Sequence, residues 1–403
     1  MSRRVYLDNA ATTFPKPPAV LQAMLDYATR VGASPGRGQY AEAREGERVL
    51  RLCRQRLATF FGAEGPERIV FTLNTSDALN LAIRSIAAHR RRAGLPTHVV
   101  ASAMDHNSVL RPLNGLAPDE VSWTCARADA DSGEVDVADV DRSIGPETAL
   151  VCVAHGSNVS GTLQPIEAIA RVCKARGVPL LVDAAQSLGH VPIDVRASGI
   201  DLLAFPGHKG LLGPQGTGGL YVRTGLEARM ARVREGGTGS WSELDDHPDE
   251  MPTRFEAGSH NTMGLAGLRA GVEHLLALGA EAIRAHEIVL MRRFIAGLAD
   301  LEPSFRMLGP RDPERRVAVF SLVHESLSPP EVAGLLESRG ILCRAGIHCA
   351  PRAHSVMGTL ASGGATRLSF GVMNDVADVD AALEALHAVA RQPASGCGAT
   401  STH

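Results

Sequence analysis

Between residues 69 and 182 short apolar runs alternate with helical ones, and this alternation limits the fold more than any other feature of the chain. Residues 69–72, 98–102, 121–125, 150–154 and 179–182 read as strands. Residues 76–92, 108–116, 137–144 and 166–176 read as helices between them. Strands spaced by helices of this size form βαβ units and a mostly parallel sheet covered on both faces. Ligands of such sheets bind beyond the carboxyl ends of the strands.

The rhythm changes toward both ends. Residues 4–8 are strand-like, and helices are expected over 17–31 and 41–61. Past residue 262 come two long helices, 263–278 and 281–301, then strands at 317–323 and 341–344. A helix over 331–339 lies between those strands, and another over 376–390 closes the chain. At 403 residues the chain exceeds the size at which one apolar core keeps growing. The predicted division is a large domain over 16–275 and a smaller α+β C-terminal domain built from 1–15 and 276–391. The small, polar residues 392–403 are expected to be a disordered tail.

Composition narrows the function classes. With 44% hydrophobic and 21% charged residues the chain is of ordinary globular type. A net charge of −3 offers no basic excess, so neither nucleic acid nor an anionic membrane is an expected partner. The first eleven residues are too short and polar for a secretion signal, and no run reaches the length of a membrane span. The seven cysteines are scattered and read as reduced thiols, which together with the missing signal predicts a cytoplasmic protein.

Residues 202–222, LLAFPGHKGLLGPQGTGGLYV, carry the first chemical clue. An apolar strand breaks at Pro206-Gly207, presents His208 and Lys209, and turns through glycines into a second apolar strand. A lysine between two apolar walls loses hydration, which lowers its pKa and frees its amine as a nucleophile. That is what a Schiff-base lysine needs. A surface lysine on a glycine turn fits the same stretch.

Three familiar patterns fail on context. Gly32-Ala33-Ser34-Pro35-Gly36 has the letters of a hydrolase elbow but follows a helix, not a strand. The glycine pattern over 36–41 lacks the strand that a dinucleotide fingerprint requires. Cys343, His348, Cys349 and His354 have no common zinc spacing, so no metal is expected.

A different set converges, each member just beyond a strand of the expected sheet. Thr75 and Ser76 open a helix after residues 69–72, where hydroxyls and free N–H groups suit a phosphate, or serve as a plain cap. His106 follows 98–102 and is placed as an acid/base or a stacking plate, or as a loop histidine satisfied by its neighbours. Asn158 follows 150–154, and Asp183 and Gln186 follow 179–182. A carboxylate at the end of a buried strand needs a positive partner, which a protonated ring nitrogen supplies. Phosphate donors, a ring plate, a carboxylate and a Schiff-base lysine are together the parts that pyridoxal 5'-phosphate requires.

In these motifs the chain resembles the class V aminotransferases, and within them the group II-type cysteine desulfurases, which include selenocysteine lyase-like members. The resemblance runs from YLDNAATTFPKP at Tyr6 through TSDALNL, MDHNSV, SNVSGT, LVDAAQS and GHKGLLGPQGTGGLYV to RFEAGSHN, RAGIHCAP and TRLSF. It implies the aspartate-aminotransferase-like architecture, fold type I of the pyridoxal-phosphate enzymes.

The roles implied by the resemblance follow residue by residue. Lys209 forms the covalent link to the cofactor, Asp183 pairs with its pyridine nitrogen, and His106 stacks on its ring and is a proton carrier. Gln186 reaches the phenolic oxygen, and Asn158 lies near cofactor and substrate. Thr75, Ser76 and His208 hold the phosphate, and Ser259 reaches the phosphate of a neighbouring subunit, which implies a homodimer. Arg367 clamps the substrate carboxylate with two parallel hydrogen bonds.

Cys349 is the expected nucleophile: it lies in a glycine-, proline- and histidine-containing loop, unlike Cys53, Cys152 and Cys173 in apolar segments. Arg344, His348 and Arg352 are expected to favour its thiolate. The implied reaction turns L-cysteine into L-alanine and leaves a persulfide on Cys349, for transfer to an iron–sulfur scaffold, a sulfur-relay protein or a small thiol. Selenocysteine lyase, cysteine sulfinate desulfinase, a class V aminotransferase or epimerase, and a non-catalytic protein that keeps the site as a binding or assembly surface are the alternatives. Two departures from the family pattern stand out: Pro206 where a serine or threonine is usual, and Ile347 where a second histidine is frequent.

Overall fold

The computed structural model describes residues 4–36, 38–117, 121–239 and 243–391. In chain order the elements of the first part are β1 (Val5–Tyr6), α1 (Pro18–Asp26), α2 (Ala41–Phe61), β2 (Ile69–Thr72), α3 (Thr75–Arg92), β3 (His98–Ser102) and α4 (Asn107–Asn114). There follow β4 (Ser122–Ala126), α5 (Val137–Ser143), β5 (Thr148–Ala154), α6 (Ile166–Arg176), β6 (Leu180–Asp183), β7 (Leu202–Pro206) and β8 (Gly218–Val222). The remainder is α7 (Thr262–Leu278), α8 (Ala280–Ala299), β9 (Phe305–Met307), β10 (Val319–His324), α9 (Pro329–Glu337), β11 (Ile341–Leu342), β12 (Arg344–Gly346), α10 (Pro351–Val356), β13 (Ala365–Ser369) and α11 (Val376–Ala390).

The central sheet has seven strands in the order β2-β8-β7-β6-β5-β3-β4. Only β8 runs against its neighbours; the other pairings are parallel. Alternate residues feed two cores. Val151 and Val153 of β5 point into one, Leu150 and Cys152 into the other, and all four are buried. Side chains on both faces are withdrawn from water, which is why these strands read as unbroken apolar runs. Each such valine or leucine contributes about 1.5–3 kcal/mol of burial.

The C-terminal part carries a four-stranded sheet, β12-β13-β10-β9, antiparallel at each of its pairings. Beside it lies a separate two-stranded sheet to which the chain's first strand contributes from the other end of the sequence: Val5 pairs with Ile341 and Tyr6 with Leu342. Val5 and Leu7 share a third core with Phe294, Phe320 and Phe370.

The structure corrects the expected elements at several points. The strand expected over 341–344 is two strands, β11 and β12, with Cys343 between them, because one half pairs with β1 and the other with β13. β9, α10 and β13 were not foreseen. β13 carries Thr366 and Arg367, polar residues that are buried here, so its hydropathy does not look like a core strand. The helix expected over 17–31 is α-helical to Asp26 and then widens into a π turn that ends at Gly32, with φ 57°. The expected tail, 392–403, and Arg37 of the glycine pattern lie outside the described residues.

Candidate active site

The carboxyl ends of the central strands open into a cavity of about 120 Å³. β2 delivers Thr75 and Ser76 to it, β3 delivers His106, β5 Asn158, β6 Asp183 and Gln186, and β7 His208 and Lys209. Eight sequence-predicted residues from five strands thus meet at one place. Between β6 and β7 the crossover contains no helix and folds tightly against the lysine loop. There is no room for a side chain at Gly210, where a Cβ would lie 2.3 Å from the Leu188 carbonyl. A Cβ on Gly207 would lie 3.0 Å from Thr217 Cβ and closer still to its hydroxyl.

Asp183 is 5% exposed, and its hydrogen bond among the described residues comes from the Ala185 N–H at 2.9 Å. Burial raises its pKa, while the Ala185 N–H and then the Lys209 charge hold it down. Lys209 is the reciprocal case. Burial pushes its amine down to about 8, and Asp183 opposes that shift. A second carboxylate, Asp105, is fully buried beside them and accepts from Ser102 N–H at 2.6 Å and Ala154 N–H at 2.7 Å. Burial pushes Asp105 up to about 7, despite those two donors. It ties the ends of β3 and β5 together beneath the cavity.

His106 is the N-cap of α4. Its Nδ1 accepts the Ser108 N–H at 3.0 Å, which places the proton of the neutral ring on Nε2. Burial, and next the Lys209 charge, push it down to about 4, so the ring is neutral near pH 7. Across the cavity, α3 starts at Thr75 with Asn74 as its N-cap, accepting the Asp77 N–H at 3.0 Å. The first N–H groups of a helix lack acceptors within it and attract an anion. His208 Nδ1 is buried with no hydrogen-bond partner among the described residues. A helix start with two hydroxyls, an unpaired ring nitrogen, an open-faced buried carboxylate and a reachable amine fit pyridoxal phosphate.

Several residues that the sequence reading passed over hold this arrangement. Thr12 donates its hydroxyl to the His208 carbonyl at 3.0 Å and Thr13 donates to that of Lys209 at 2.9 Å. Lys16 donates to the His208 carbonyl at 2.6 Å, and burial pushes its amine down to about 8. The YLDNAATT segment therefore splints the backbone on which Lys209 is mounted. Gln186 Nε2 donates to the Ala10 carbonyl of the same segment at 3.0 Å. The clue in the sequence was the polarity of that segment; its target could not be read there.

Cys349 is exposed and follows His348 in a stretch where both residues have positive φ, 54° and 55°. Left-handed backbone is costly for residues with a Cβ and persists only where neighbours enforce it. Two bonds do so: Asn158 Nδ2 donates to the His348 carbonyl at 2.6 Å, and the Asn107 N–H donates to that of Cys349 at 2.9 Å. Both bonds come from residues at the cavity, Asn158 in its lining and Asn107 next to His106, so the backbone of the Cys349 loop is tied to its rim.

The charges expected to favour the thiolate are otherwise occupied. Arg344 pairs with Asp8 at 3.3 Å, and Arg352 lies over the Trp123 ring at 4.9 Å. The His348 ring is buried and pushed down to about 2, so it carries no charge. It meets His354 at 3.4 Å, and His354 Nδ1 meets the Thr359 hydroxyl at 2.7 Å. Burial lowers the pKa of the Arg367 guanidinium, and Asp8 opposes that shift. Arg367 is 2% exposed, pairs with Asp8 at 3.0 Å and donates to the Asn158 carbonyl at 3.3 Å. Ser259 lies outside the cavity of its own chain, in a separate depression with Leu73, Gly216 and Arg234.

Fold and site together define a class: an α/β enzyme of the fold type I pyridoxal-phosphate group, with its aspartate at the end of one strand and its lysine just beyond the end of the adjacent parallel one. The chain belongs to the class V aminotransferase family, whose profile, Aminotransferase class-V, matches residues 5–382. Within that family it is similar to proteins named for one activity. A probable cysteine desulfurase of Methanothermobacter thermautotrophicus is 35% identical over 96% of this chain and 94% of its own length. The apo structure of a cysteine desulfurase from Thermococcus onnurineus NA1 superposes with a TM-score of 0.88 at 32% identity, covering 96% of this chain and 95% of that one. A cysteine desulfurase of Escherichia coli, in an S-sulfonic acid form, superposes with a TM-score of 0.81 at 26% identity, covering 96% and 94%.

Proposed function

We propose that this protein is a pyridoxal-phosphate-dependent cysteine desulfurase that converts L-cysteine to L-alanine and holds the sulfur on Cys349. The observation that carries the reading is the double anchoring of the Cys349 loop to Asn158 and Asn107, one residue from the ring histidine and one side chain from the lysine cavity.

Bound pyridoxal phosphate supplies a carbonyl for amines and an electron sink for charge at the substrate Cα. Thr75, Ser76 and His208 hold the phosphate, with Ser259 of a second copy completing it. Asp183 would face the pyridine nitrogen, where its negative charge would favour a ring proton. His106 would cover one ring face, and Gln186 would reach the phenolic oxygen. Arg367 exchanges part of its Asp8 pairing for the substrate carboxylate. Lys209, with its amine near 8, is free often enough to take the Cα proton. The Cys349 thiolate attacks the substrate sulfur, the S–Cβ bond breaks, and the carbon fragment is reprotonated, with His106 Nε2 as one donor. Alanine leaves, and the persulfide passes to a thiol or scaffold acceptor.

The site division supports a large domain over 16–275 and a small one made of 1–15 and 276–391, since β1 pairs with β11. A homodimer is supported by the apolar residues left outside: Leu21 and Leu25 on α1, Met263 on α7, and Leu73 beside Ser259 are all exposed. Among the described residues no helix is long and apolar enough to cross a membrane; a cytoplasmic location is part of this proposal.

The test is incubation with cysteine, measuring alanine and sulfide together, with mass spectrometry for added sulfur on Cys349. Equal alanine formation by wild type and Cys349→Ala would defeat Cys349 as the sulfur acceptor, and a wild type that forms no alanine from cysteine would leave a transaminase or epimerase in its place.

A further inference from the structure

Position 206 is proline, so β7 brings neither a hydroxyl nor an N–H to the cavity just ahead of Lys209. A hydroxyl arrives from another element. Ser108, in the first turn of α4, lines the same cavity as Ser76, and the two Oγ atoms stand 2.6 Å apart. Its Oγ is also 2.9 Å from His106 Nδ1, and its N–H donates to that nitrogen at 3.0 Å.

This double contact gives the hydroxyl freedom. The ring nitrogen keeps its donor in the Ser108 N–H whichever way the hydroxyl turns. The hydroxyl proton can therefore swing to an anion without leaving the buried imidazole unpaired. Ser76, its neighbour in the pair, heads the helix start that offers free N–H groups to the same anion. The nearby His208 ring is neutral, pushed down to about 4 by burial, so uncharged donors carry more of the task here.

We infer that Ser108 is a phosphate ligand of the cofactor, standing beside Thr75 and Ser76 and replacing the hydroxyl that Pro206 cannot supply. The inference rests on the cofactor reading above. It makes the link between α3 and α4 a part of the phosphate site, through the Ser76–Ser108 pair.

The experiment titrates the full-length apoprotein with pyridoxal phosphate and, separately, with unphosphorylated pyridoxal, following the absorbance of the bound ring. Ser108→Ala should weaken pyridoxal phosphate roughly tenfold, the scale of a hydrogen bond to a charged group, and leave pyridoxal unchanged. Ser108→Thr should retain wild-type affinity, and Pro206→Ser in the Ser108→Ala background should recover most of the loss. Equal weakening of both probes would show that Ser108 acts only by orienting His106, and unchanged affinity would show no role; either result overturns the inference. A wild-type chain that binds neither probe instead fails the cofactor reading itself, and Ser108 with it.

Discussion

The side-chain amide of Asn158 donates to the backbone carbonyl of His348 at 2.6 Å. One residue lines the lysine cavity and the other precedes the exposed cysteine, so this bond joins the two halves of the chemistry. It also holds a carbonyl whose residue has φ 54°.

Removing that donor should release the loop. In Asn158→Ala, amide exchange at residues 347–350 is expected to accelerate and alanine formation to fall by about tenfold, one hydrogen bond's worth of positioning. Exchange protection equal to wild type, measured by mass spectrometry, would show that the Asn107 bond alone suffices.

The lysine's reactivity should follow pH through its shifted value. Below about 8 the Lys209 amine is protonated and unreactive, and above it free. Trapping by borohydride of the apoprotein with pyridoxal phosphate should therefore rise as pH passes from 7 to 9, well below the usual lysine range. Asp183 raises the Lys209 value, so in Asp183→Asn the rise should move to lower pH. A shift to higher pH would contradict the electrostatics described.

Behind the cysteine, the Thr359 hydroxyl is 2.7 Å from His354 Nδ1 in a buried setting. Thr359→Val keeps the shape and deletes the partner, leaving an imidazole nitrogen unpaired. The expected cost is about 1–3 kcal/mol in denaturant unfolding, with a changed rate of Cys349 alkylation. Thr359→Ser should behave as wild type in both measurements.

At Gly207 the test is steric. An added methyl would lie 3.2 Å from Leu268 Cδ1 and 3.0 Å from Thr217 Cβ, with the Thr217 hydroxyl closer again. Gly207→Ala should cost about 1–3 kcal/mol of stability and lower the yield of trapped Lys209. Recovery in the Gly207→Ala, Thr217→Ser double variant would be limited, since the hydroxyl is the nearer obstacle.

The sheet was legible because β3, β5 and β6 are buried on both faces and hydropathy reports that directly. The cavity residues were legible for a related reason: each is polar and stands immediately beyond an apolar strand. Arg367 could be placed by resemblance, but its strand could not be found by pattern, since β13 buries a threonine and an arginine. The break at Cys343 depends on β1, more than 330 residues earlier in the chain, and local sequence does not contain it. His348 looked like a source of positive charge because composition shows a histidine next to a cysteine; burial against His354 and Arg367 makes it neutral.

Residues 5–13 open the chain, yet their partners include β11, Ser369 and the carbonyls of His208 and Lys209. The same few residues therefore touch the lysine loop at one end and the last strand at the other, so a single short brace ties the two ends of the fold to the amine.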